Sequence, residues 1–366
     1  MRFLHRTFSL NNILLLLLPC IATTSLADWQ PKVYNAIKWS EPNQGIQTIN
    51  YTSREGITLV PIAYHGGVDW NESGDISQSN IDRFTAWVHQ KIPTGYCGPI
   101  VMDYEKPWRK ELSQKELNPG RLQEILSVYG EGVQIARGVA PTAQWGYWGM
   151  PLLRNTGASW REQGLSMKPL TEQCTALYPD IYDASRGNEQ VRQVQEHITA
   201  TLELAGGQIP VYVFVSPRYA GEGGDRSQFV PDDVFLRRAN AAMKAVWIDE
   251  MGNRHKIQGL ILWDAYSFTP EAEWKTLDET HSYYFKLLQA LVKAWEKQMV
   301  GQAIQTNVND SSGCQYGMPE PQNSSETLSK QVRQDGHATG VSNEEVPQIE
   351  NERLPSGRIP SNRIDE

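Results

Sequence analysis

Few residues of this chain have the side chains that usually bind metals or form structural bridges. There are 4 cysteines and 7 histidines among 366 residues. The histidines lack the helical pairing that metallohydrolases use, and the cysteine spacing does not indicate a zinc site. We therefore expect no metal and no other cofactor. Once a leader containing Cys20 is removed, Cys97, Cys174 and Cys314 can form at most one internal disulfide.

Positive charge is also scarce, and long apolar segments are absent beyond the N-terminus. The formal net charge is −8 at pH 7, which argues against nucleic acid as a partner. A polyanionic substrate would need a local basic cleft. The apolar run Ile13–Leu18 is too short to span a bilayer, and no later segment is long and apolar enough. We expect no membrane-spanning helix, and the oligomeric state stays open.

The two ends of the chain differ in composition from its centre. Basic residues, the apolar run and the small residues Ser25-Leu26-Ala27 follow one another in the order of a cleavable secretory signal. We expect residues 1–27 to be a signal peptide cleaved near Ala27, which makes the mature protein secreted or periplasmic. Residues 301–366 are rich in Asn, Ser, Gln, Glu, Pro and Gly, which predicts a disordered polar tail.

Residues 28–300 alternate short apolar strands with helical stretches. An early strand is predicted over Ile57–Tyr64, and the runs Pro210–Val215 and Ile257–Trp263 are typical of parallel strands buried on both faces. Repeated βα units of this length predict an α/β fold, a distorted TIM-like (β/α) barrel of about seven to eight strands. A doubly wound open sheet has the same rhythm, but usually with a Gly-rich phosphate loop, which is not seen.

The apolar run before Asp103-Tyr104-Glu105 predicts a buried strand that ends in two carboxylates. Side chains alternate along a strand, so Asp103 and Glu105 share one face, with Cα atoms roughly 6.5 Å apart. If Glu105 stays protonated beside ionised Asp103, it can protonate a leaving glycosidic oxygen. An isolated Asp-x-Glu more often marks a solvated strand end, so the tripeptide alone does not establish glycoside hydrolysis.

Other aromatic and apolar segments accompany the acidic pair in a definite order. In sequence order the set is Ile92-Pro93, Val101–Glu105 with Trp108-Arg109, Trp145–Pro151, Ala176–Tyr182, Pro210–Phe214 and Gly259–Trp263. With this set, the chain resembles the hyaluronidase family of glycoside hydrolases over roughly residues 57–295. The resemblance implies retaining cleavage of a β-linked N-acetylhexosaminide, in which the substrate's acetamido oxygen attacks the anomeric carbon. Glu105 would be the acid and base, and ionised Asp103 would orient the acetamido N–H.

The resemblance also implies residues that contact the substrate. Trp263 matches a family Trp that lies beneath the acetamido methyl group. The other candidates are Tyr147, Trp148, Tyr182, Phe214, Arg109 and Asp264. Phe214 and Trp148 stand where the family usually has Tyr, and the lost hydroxyls predict reduced or redirected activity. Ser216 replaces a common Arg, so Arg218 could bind a glucuronate carboxylate only if its loop shifts.

Three functions are compatible with these features. The first is an exported hyaluronidase-like endo-β-N-acetylhexosaminidase whose partner is a polysaccharide, with hyaluronan or chondroitin as the nearest candidates. The second is a lysozyme- or chitinase-like hydrolase of another amino-sugar polymer, because such a barrel can also present Asp-x-Glu at a strand end. The third is a catalytically silent barrel that binds glycan through its Trp-rich opening.

Overall fold

The central strands are short and buried, because their residues are apolar on both faces. In the computed structural model all four residues are buried in β4 (Pro99–Met102), β6 (Tyr212–Val215) and β9 (Gly259–Leu262). Strands of this kind pair in parallel beneath helices that cover both faces. The α/β fold predicted from the sequence is confirmed.

The structure describes residues 29–39, 41, 43–112, 117–152, 167–182, 186, 191–220 and 227–299. The predicted signal peptide and the predicted polar tail lie outside these residues. Within them, Cys97 is disulfide-bonded and Cys174 is a buried free thiol. No helix of the described part is long and apolar enough to cross a membrane.

Two parallel sheets and a small antiparallel hairpin contain the strands of the described part. The remaining strands are β1 (Lys32–Asn35), β2 (Thr58–Leu59), β3 (Ile62–Ala63), β5 (Gln144–Tyr147), β7 (Trp247–Ile248) and β8 (Arg254–His255). The parallel sheets have the orders β2-β1-β9-β6 and β3-β4-β5, and β7 pairs with β8. The expected barrel is therefore distorted into two separate ladders.

Two chain segments connect the ladders and explain the distortion. The strand predicted over Ile57–Tyr64 is divided at Pro61 into β2, which pairs with β1, and β3, which pairs with β4. Opposite it, residues 177–180 contact β6 through the isolated bridges Leu177–Val211 and Asp180–Phe214. The carboxyl ends of the strands thus surround one opening, although no regular ladder closes the ring.

The helices lie around the two sheets, between consecutive parallel strands. They are α1 (Ile46–Arg54), α2 (Gln78–Lys91), α3 (Arg109–Leu112), α4 (Pro119–Val139), α5 (Lys168–Thr171), α6 (Val191–Ala205), α7 (Asp232–Lys244) and α8 (Trp274–Met299). The Ser77 side chain caps α2 by accepting from the Asn80 N–H, and Asn118 caps α4, which has Pro at its first turn. These caps fix the residues at which α2 and α4 begin after the loops that follow β3 and β4.

A cluster of aromatic residues fills the interior of the ring. This inner cluster includes Tyr34, Tyr178, Tyr212 and Phe214, and it is separate from the larger core between sheets and helices. The Tyr212 hydroxyl donates to Gln144 Oε1 at 2.6 Å, so the polar group of this buried ring is satisfied. Because the cluster occupies the interior, the open space lies above it, at the carboxyl ends of the strands.

Candidate active site

Asp103 and Glu105 directly follow β4, but the backbone holds them differently. The Asp103 N–H donates to the Ala63 carbonyl at 2.9 Å, and the Asp103 carbonyl accepts from the Gly66 N–H at 2.9 Å, so strand-like bonding continues through Asp103. The Glu105 carbonyl instead accepts from the Arg109 N–H at 2.6 Å and begins a helical turn. Asp103 is thus fixed by the strand, and Glu105 lies at the more open edge.

Tyr104, between the two carboxylates, points into the helical layer and anchors the segment. Its hydroxyl donates to Asp69 Oδ2 at 2.6 Å and its carbonyl accepts from the Tyr129 hydroxyl at 2.7 Å. Tyr104 is buried, whereas the Glu105 side chain is 48% exposed. The alternation predicted from the sequence therefore turns both carboxylates toward the opening.

The electrostatic environment of Asp103 differs from the one expected from the sequence. Burial, together with the neighbouring charge of Glu105, raises the pKa of Asp103 from 3.8 to about 7, although Arg109 and Lys38 act in the opposite direction. Within the described part of the chain, Asp103 Oδ1 is buried without a hydrogen-bond partner. The structure therefore favours a proton on Asp103 at pH values below about 7, where the sequence had suggested an ionised group.

A small pocket of about 60 Å³ surrounds the two carboxylates. Its other lining residues are Ile62, Tyr64, Trp148 and Trp263. The Trp263 side chain hydrogen-bonds to Tyr64, and burial raises the Tyr64 pKa, which keeps that hydroxyl protonated. The pocket has a polar side formed by the carboxylates and an apolar side formed by the indoles. This combination suits an amide group that carries a methyl.

Three aromatic rings form a continuous surface beside Glu105. Tyr182 lies 5.9 Å from Trp263 in a stacked arrangement and 5.8 Å from Trp148, measured between ring centroids. The Trp148 indole N–H donates to the Tyr182 hydroxyl at 3.3 Å. A second pocket of about 220 Å³ is lined by all three rings, and it shares Glu105, Trp148 and Trp263 with the first pocket. Aromatic faces next to a carboxylate pair are typical of sites that bind sugar rings.

Arg109 lies at the same opening and is paired with acidic groups. Its Nε is 3.3 Å from Glu105 Oε1, and its Nη2 is 3.7 Å from Asp180 Oδ2. The guanidinium also lies over the Trp148 ring, 4.2 Å from the centroid. Arg109 therefore orients Glu105 and supports the aromatic surface, and the structure brings it to the site as the sequence suggested.

Tyr147 and Phe214, two of the expected substrate contacts, lie away from the pocket. The Tyr147 hydroxyl donates to the Tyr129 carbonyl at 2.9 Å inside the core, because neighbouring residues on β5 face opposite sides and Trp148 occupies the pocket side. Phe214 faces the ring interior, where it is fully buried and packs edge-on against Tyr178. It lies in the inner cluster, below the opening. For both residues the structure corrects the expectation of a substrate contact.

Asp264 is also corrected, because its carboxylate is completely buried and fully used. Both of its oxygens accept from Arg218 Nε at 2.9 Å, and Oδ2 lies 2.9 Å from His281 Nε2. Oδ1 also accepts from the Ala265 N–H at 2.8 Å. A carboxylate with this set of partners stabilises the fold by holding several elements together. It has no oxygen left for a substrate.

Arg218, the residue suggested as a glucuronate contact, is similarly committed. Beyond Asp264, its Nη1 donates to the Ser227 carbonyl at 2.6 Å and its Nη2 donates to the Thr269 hydroxyl at 2.8 Å. The guanidinium lies 4.2 Å from the Phe229 ring centroid. Although Arg218 lines the second pocket, its side chain braces the loops around that pocket.

Ile62 and Tyr64 line the first pocket but were not among the candidates. A usable signal existed, because Tyr64 ends the strand predicted over Ile57–Tyr64 and functional residues of parallel barrels lie at strand ends. Within the described residues no group of three or more His, Cys, Asp or Glu is arranged to hold a metal ion.

Comparison with known proteins gives structural relatives only. The structure of bee venom hyaluronidase is similar with a TM-score of 0.51 and 17% identity, covering 72% of this chain and 100% of that chain. The structure of bee venom hyaluronidase in complex with a hyaluronic acid tetramer also gives a TM-score of 0.51, with 15% identity, covering 71% of this chain and 99% of that one. No family model and no curated protein sequence matches the chain. The protein has an α/β fold similar to that of these two structures.

Proposed function

We propose that the protein is an exported glycoside hydrolase that cleaves a polysaccharide containing N-acetylhexosamine. The observation that supports this most strongly is the pairing of half-buried Asp103, whose buried Oδ1 has no hydrogen-bond partner among the described residues, with half-exposed Glu105 in one aromatic pocket. Perturbed carboxylates in a cleft are typical of catalytic sites. The position of the pair supports the proposal, because it directly follows β4 and parallel barrels have their active sites at the carboxyl ends of strands.

The pocket supports a mechanism in which the substrate supplies the nucleophile. The sugar's acetamido N–H would donate to Asp103 Oδ1, and the acetamido methyl would contact Trp263 and Tyr64. The acetamido oxygen would then bond to the anomeric carbon as the glycosidic bond breaks and Glu105 gives its proton to the leaving oxygen. In the second step Glu105 takes a proton from a water that attacks the anomeric carbon, and the bond between that carbon and the acetamido oxygen breaks. Two displacements retain the anomeric configuration.

Because the pKa of Asp103 is raised, substrate binding can determine which of the two carboxylates, Asp103 or Glu105, holds the catalytic proton. Before the sugar binds, the raised pKa favours the protonated form of Asp103 at pH values below about 7. An acetamido N–H that donates to this carboxyl favours its ionised form and lowers its pKa. The released proton is then available to Glu105, where the leaving group needs it. The two carboxylates act as one coupled unit, with a proton position that depends on the bound sugar.

The structural relatives agree with this proposal at the level of fold. One of them is a hyaluronidase whose structure was determined with a hyaluronic acid tetramer, a polymer that contains N-acetylhexosamine. Trp148 and Phe214 stand where the family pattern has tyrosines, and these two differences favour a different set of substrate contacts in this site. Phe214 lies in the inner cluster and Trp148 lines the pocket with an indole, so this site makes fewer hydroxyl contacts than the family pattern implies.

The test is release of reducing ends by the purified protein from hyaluronan, chondroitin, chitin oligomers and peptidoglycan, between mildly acidic and neutral pH. We expect release from at least one polymer and its loss in Glu105→Gln. Proton NMR of the first product distinguishes retention from inversion, and an inverted anomer would exclude the substrate-assisted route. A folded protein that binds one polymer without releasing ends would instead be a silent glycan-binding barrel.

A further inference from the structure

Lys38 lies against a residue that lines the pocket around Asp103 and Glu105. Its Nζ is 4.0 Å from the centroid of the Tyr64 ring. Tyr64 lines the pocket of the acidic pair, and both Lys38 and Tyr64 line a neighbouring pocket of about 280 Å³. An ammonium in this position is attracted by the negative face of the aromatic ring. Tyr64 is thus in contact with the Lys38 cation on one side and with the acidic pocket on another.

The backbone of Lys38 is fixed by the segment that follows β9. The Lys38 N–H donates to the Asp264 carbonyl at 2.8 Å, and the Lys38 carbonyl accepts from the Tyr266 N–H at 3.2 Å. Asp264 is itself held by Arg218 and His281. Lys38 is exposed, but the backbone from which its side chain extends is tied to this buried ion pair. The position of the ammonium is therefore limited by a rigid part of the fold.

The Tyr64 side chain is held at two points. Its hydroxyl is hydrogen-bonded to the Trp263 side chain, and its ring face contacts the Lys38 ammonium. In the proposed mechanism Tyr64 and Trp263 contact the acetamido methyl group. Because the pocket has a volume of only about 60 Å³, a small movement of the Tyr64 ring would change the space available to that group. Lys38 therefore helps to set the shape of the pocket without lining it.

Four charged groups act on the Asp103 carboxyl, and Lys38 differs from the other three. Glu105 and Glu72 raise the pKa of Asp103, whereas Arg109 and Lys38 lower it. Arg109 is paired with acidic groups, and Glu72 lies in an ion pair of its own. Within the described residues Lys38 has no carboxylate at ion-pair distance, so its charge is not neutralised by a closer neighbour. Burial raises the pKa of the tyrosines that interact with Asp103, which keeps them uncharged: Tyr64, Tyr129 and Tyr182.

We propose that Lys38 is a positioning residue for the acidic pair: its ammonium holds the Tyr64 ring and favours the negative charge that Asp103 acquires when the amino sugar binds. The inference rests on the proposed function, in which sugar binding moves a proton from Asp103 to Glu105. That step moves a negative charge in the opposite direction, away from the carboxylate that Arg109 pairs with. The Lys38 charge favours the new location. Lys38 acts through Tyr64 and Asp103 and makes no contact with the sugar.

The first test needs no substrate. Lys38→Met keeps the length of the side chain and removes its charge, so the folded pKa of Asp103, which is about 7 in the parent, should rise further. At pH 4 the folded protein has a protonated Asp103 with or without Lys38, whereas at pH 8 the ionised form loses its cation. The urea midpoint should therefore fall more at pH 8 than at pH 4, by at least about 0.2 M. This extra loss should vanish in the Asp103→Asn background. An equal loss at both pH values, or a loss at pH 8 that persists with Asp103→Asn, would overturn the proposal.

The second test is the pH profile of kcat/KM on a polymer that the parent cleaves. Lys38→Met should move the fall at alkaline pH upward by about 0.3 pH unit or more and lower kcat by about two- to fivefold. Lys38→Arg should keep the parent profile, because it keeps the charge.

The matched control is Lys91→Met, because Lys91 lines the neighbouring pocket with Lys38 but is not among the charges that act on Asp103. It should leave the alkaline fall at the same pH. If both lysine variants move the fall equally, or neither does, the role of Lys38 is excluded while hydrolysis by Glu105 stands. If the parent cleaves no polymer, the proposed function is contradicted, and the urea comparison alone decides whether Lys38 acts on Asp103.

Discussion

Two of the parallel strands are followed by an aspartate, and the two aspartates have different environments. At the end of β9, Asp264 is fully buried, and each of its oxygens has at least two partners. After β4, Asp103 is partly exposed and has a buried Oδ1 without a hydrogen-bond partner among the described residues, and the charge that affects its pKa most is that of another carboxylate, Glu105. Both positions look alike in the sequence, as an apolar run followed by Asp.

The difference separates a group that stabilises the fold from one that is available for chemistry. Asp264 ties the end of β9 to Arg218 and to His281 of α8, so its charge is neutralised by protein. The neighbouring positive charges do not fully compensate for the desolvation of the Asp103 carboxylate, and its pKa is raised as a result. Uncompensated desolvation of this kind is typical of sites where a bound ligand supplies the missing hydrogen bond.

The largest expected effect comes from removing the proton donor beside Asp103. Glu105→Gln keeps the size of the side chain and removes its acid, so kcat should fall by a factor of about 10²–10⁴. The free energy of unfolding should change little, because the side chain is half-exposed. Initial rates of reducing-end release and urea denaturation measure the two quantities. Activity equal to the parent would remove Glu105 from the mechanism.

The corresponding change at the β9 end should affect stability instead. Asp264→Asn leaves the buried Arg218 guanidinium without its countercharge, and we expect a loss of about 3–5 kcal/mol in the free energy of unfolding. The matched control is Asp233→Asn, which breaks an exposed pair with Arg237 and should cost less than about 1 kcal/mol. Urea denaturation at neutral pH compares them. Equal losses would mean that the buried Asp264–Arg218 pair stabilises the fold no more than an exposed ion pair does.

Asp103→Asn should stabilise the protein in a pH-dependent way. The folded pKa of Asp103 is about 7, above its ordinary value of 3.8. Below pH 4 the carboxyl is protonated in both the folded and unfolded states, so the variant gains nothing. Above pH 7 the folded parent must bear a buried charge, and the variant should be more stable by roughly 2–4 kcal/mol. Urea denaturation at pH 4 and pH 8 gives the comparison, and a gain at pH 4 alone would contradict it.

The shared proton also sets the pH range of activity. Catalysis needs one proton on the Asp103–Glu105 pair, and the free pair loses that proton as pH rises through the Asp103 pKa of about 7. We therefore expect kcat/KM to fall by about tenfold for each pH unit above this value. Rates at low substrate between pH 5 and pH 9 measure the fall. A constant kcat/KM up to pH 9 would show that the proton is held elsewhere.

The smallest expected effect concerns a tyrosine that sequence reasoning placed at the site. Tyr147→Phe removes only the buried hydrogen bond to the Tyr129 carbonyl, which should cost about 1 kcal/mol of stability. The kcat and KM values should stay within about twofold of the parent. A tenfold loss of kcat without loss of stability would return Tyr147 to the list of substrate contacts.

The sequence predicted strand ends well and side-chain depth poorly. The period of a strand placed Asp103 and Glu105 on one face, and Trp148, Tyr182 and Trp263 do reach the opening. The same reasoning wrongly predicted a substrate contact at Phe214. Alternation shows which face of a strand carries a side chain, but not how deep below the opening that side chain lies. Asp264 was misjudged for another reason. Its partner Arg218 is 46 residues away in the chain, and only the folded structure brings the two together.

The Pro61 division has a consequence for how this protein could diversify. The segment from β2 to β3 carries the hydrogen bonds that join both sheets, and it also borders the pocket that contains Asp103 and Glu105 and a neighbouring pocket of about 280 Å³. A substitution there alters the architecture and the shape of both pockets together. Trp87 and Lys91 line the neighbouring pocket from α2, outside those ladders. Changes in the shape of that pocket, by natural or laboratory evolution, should therefore accumulate first on that helix.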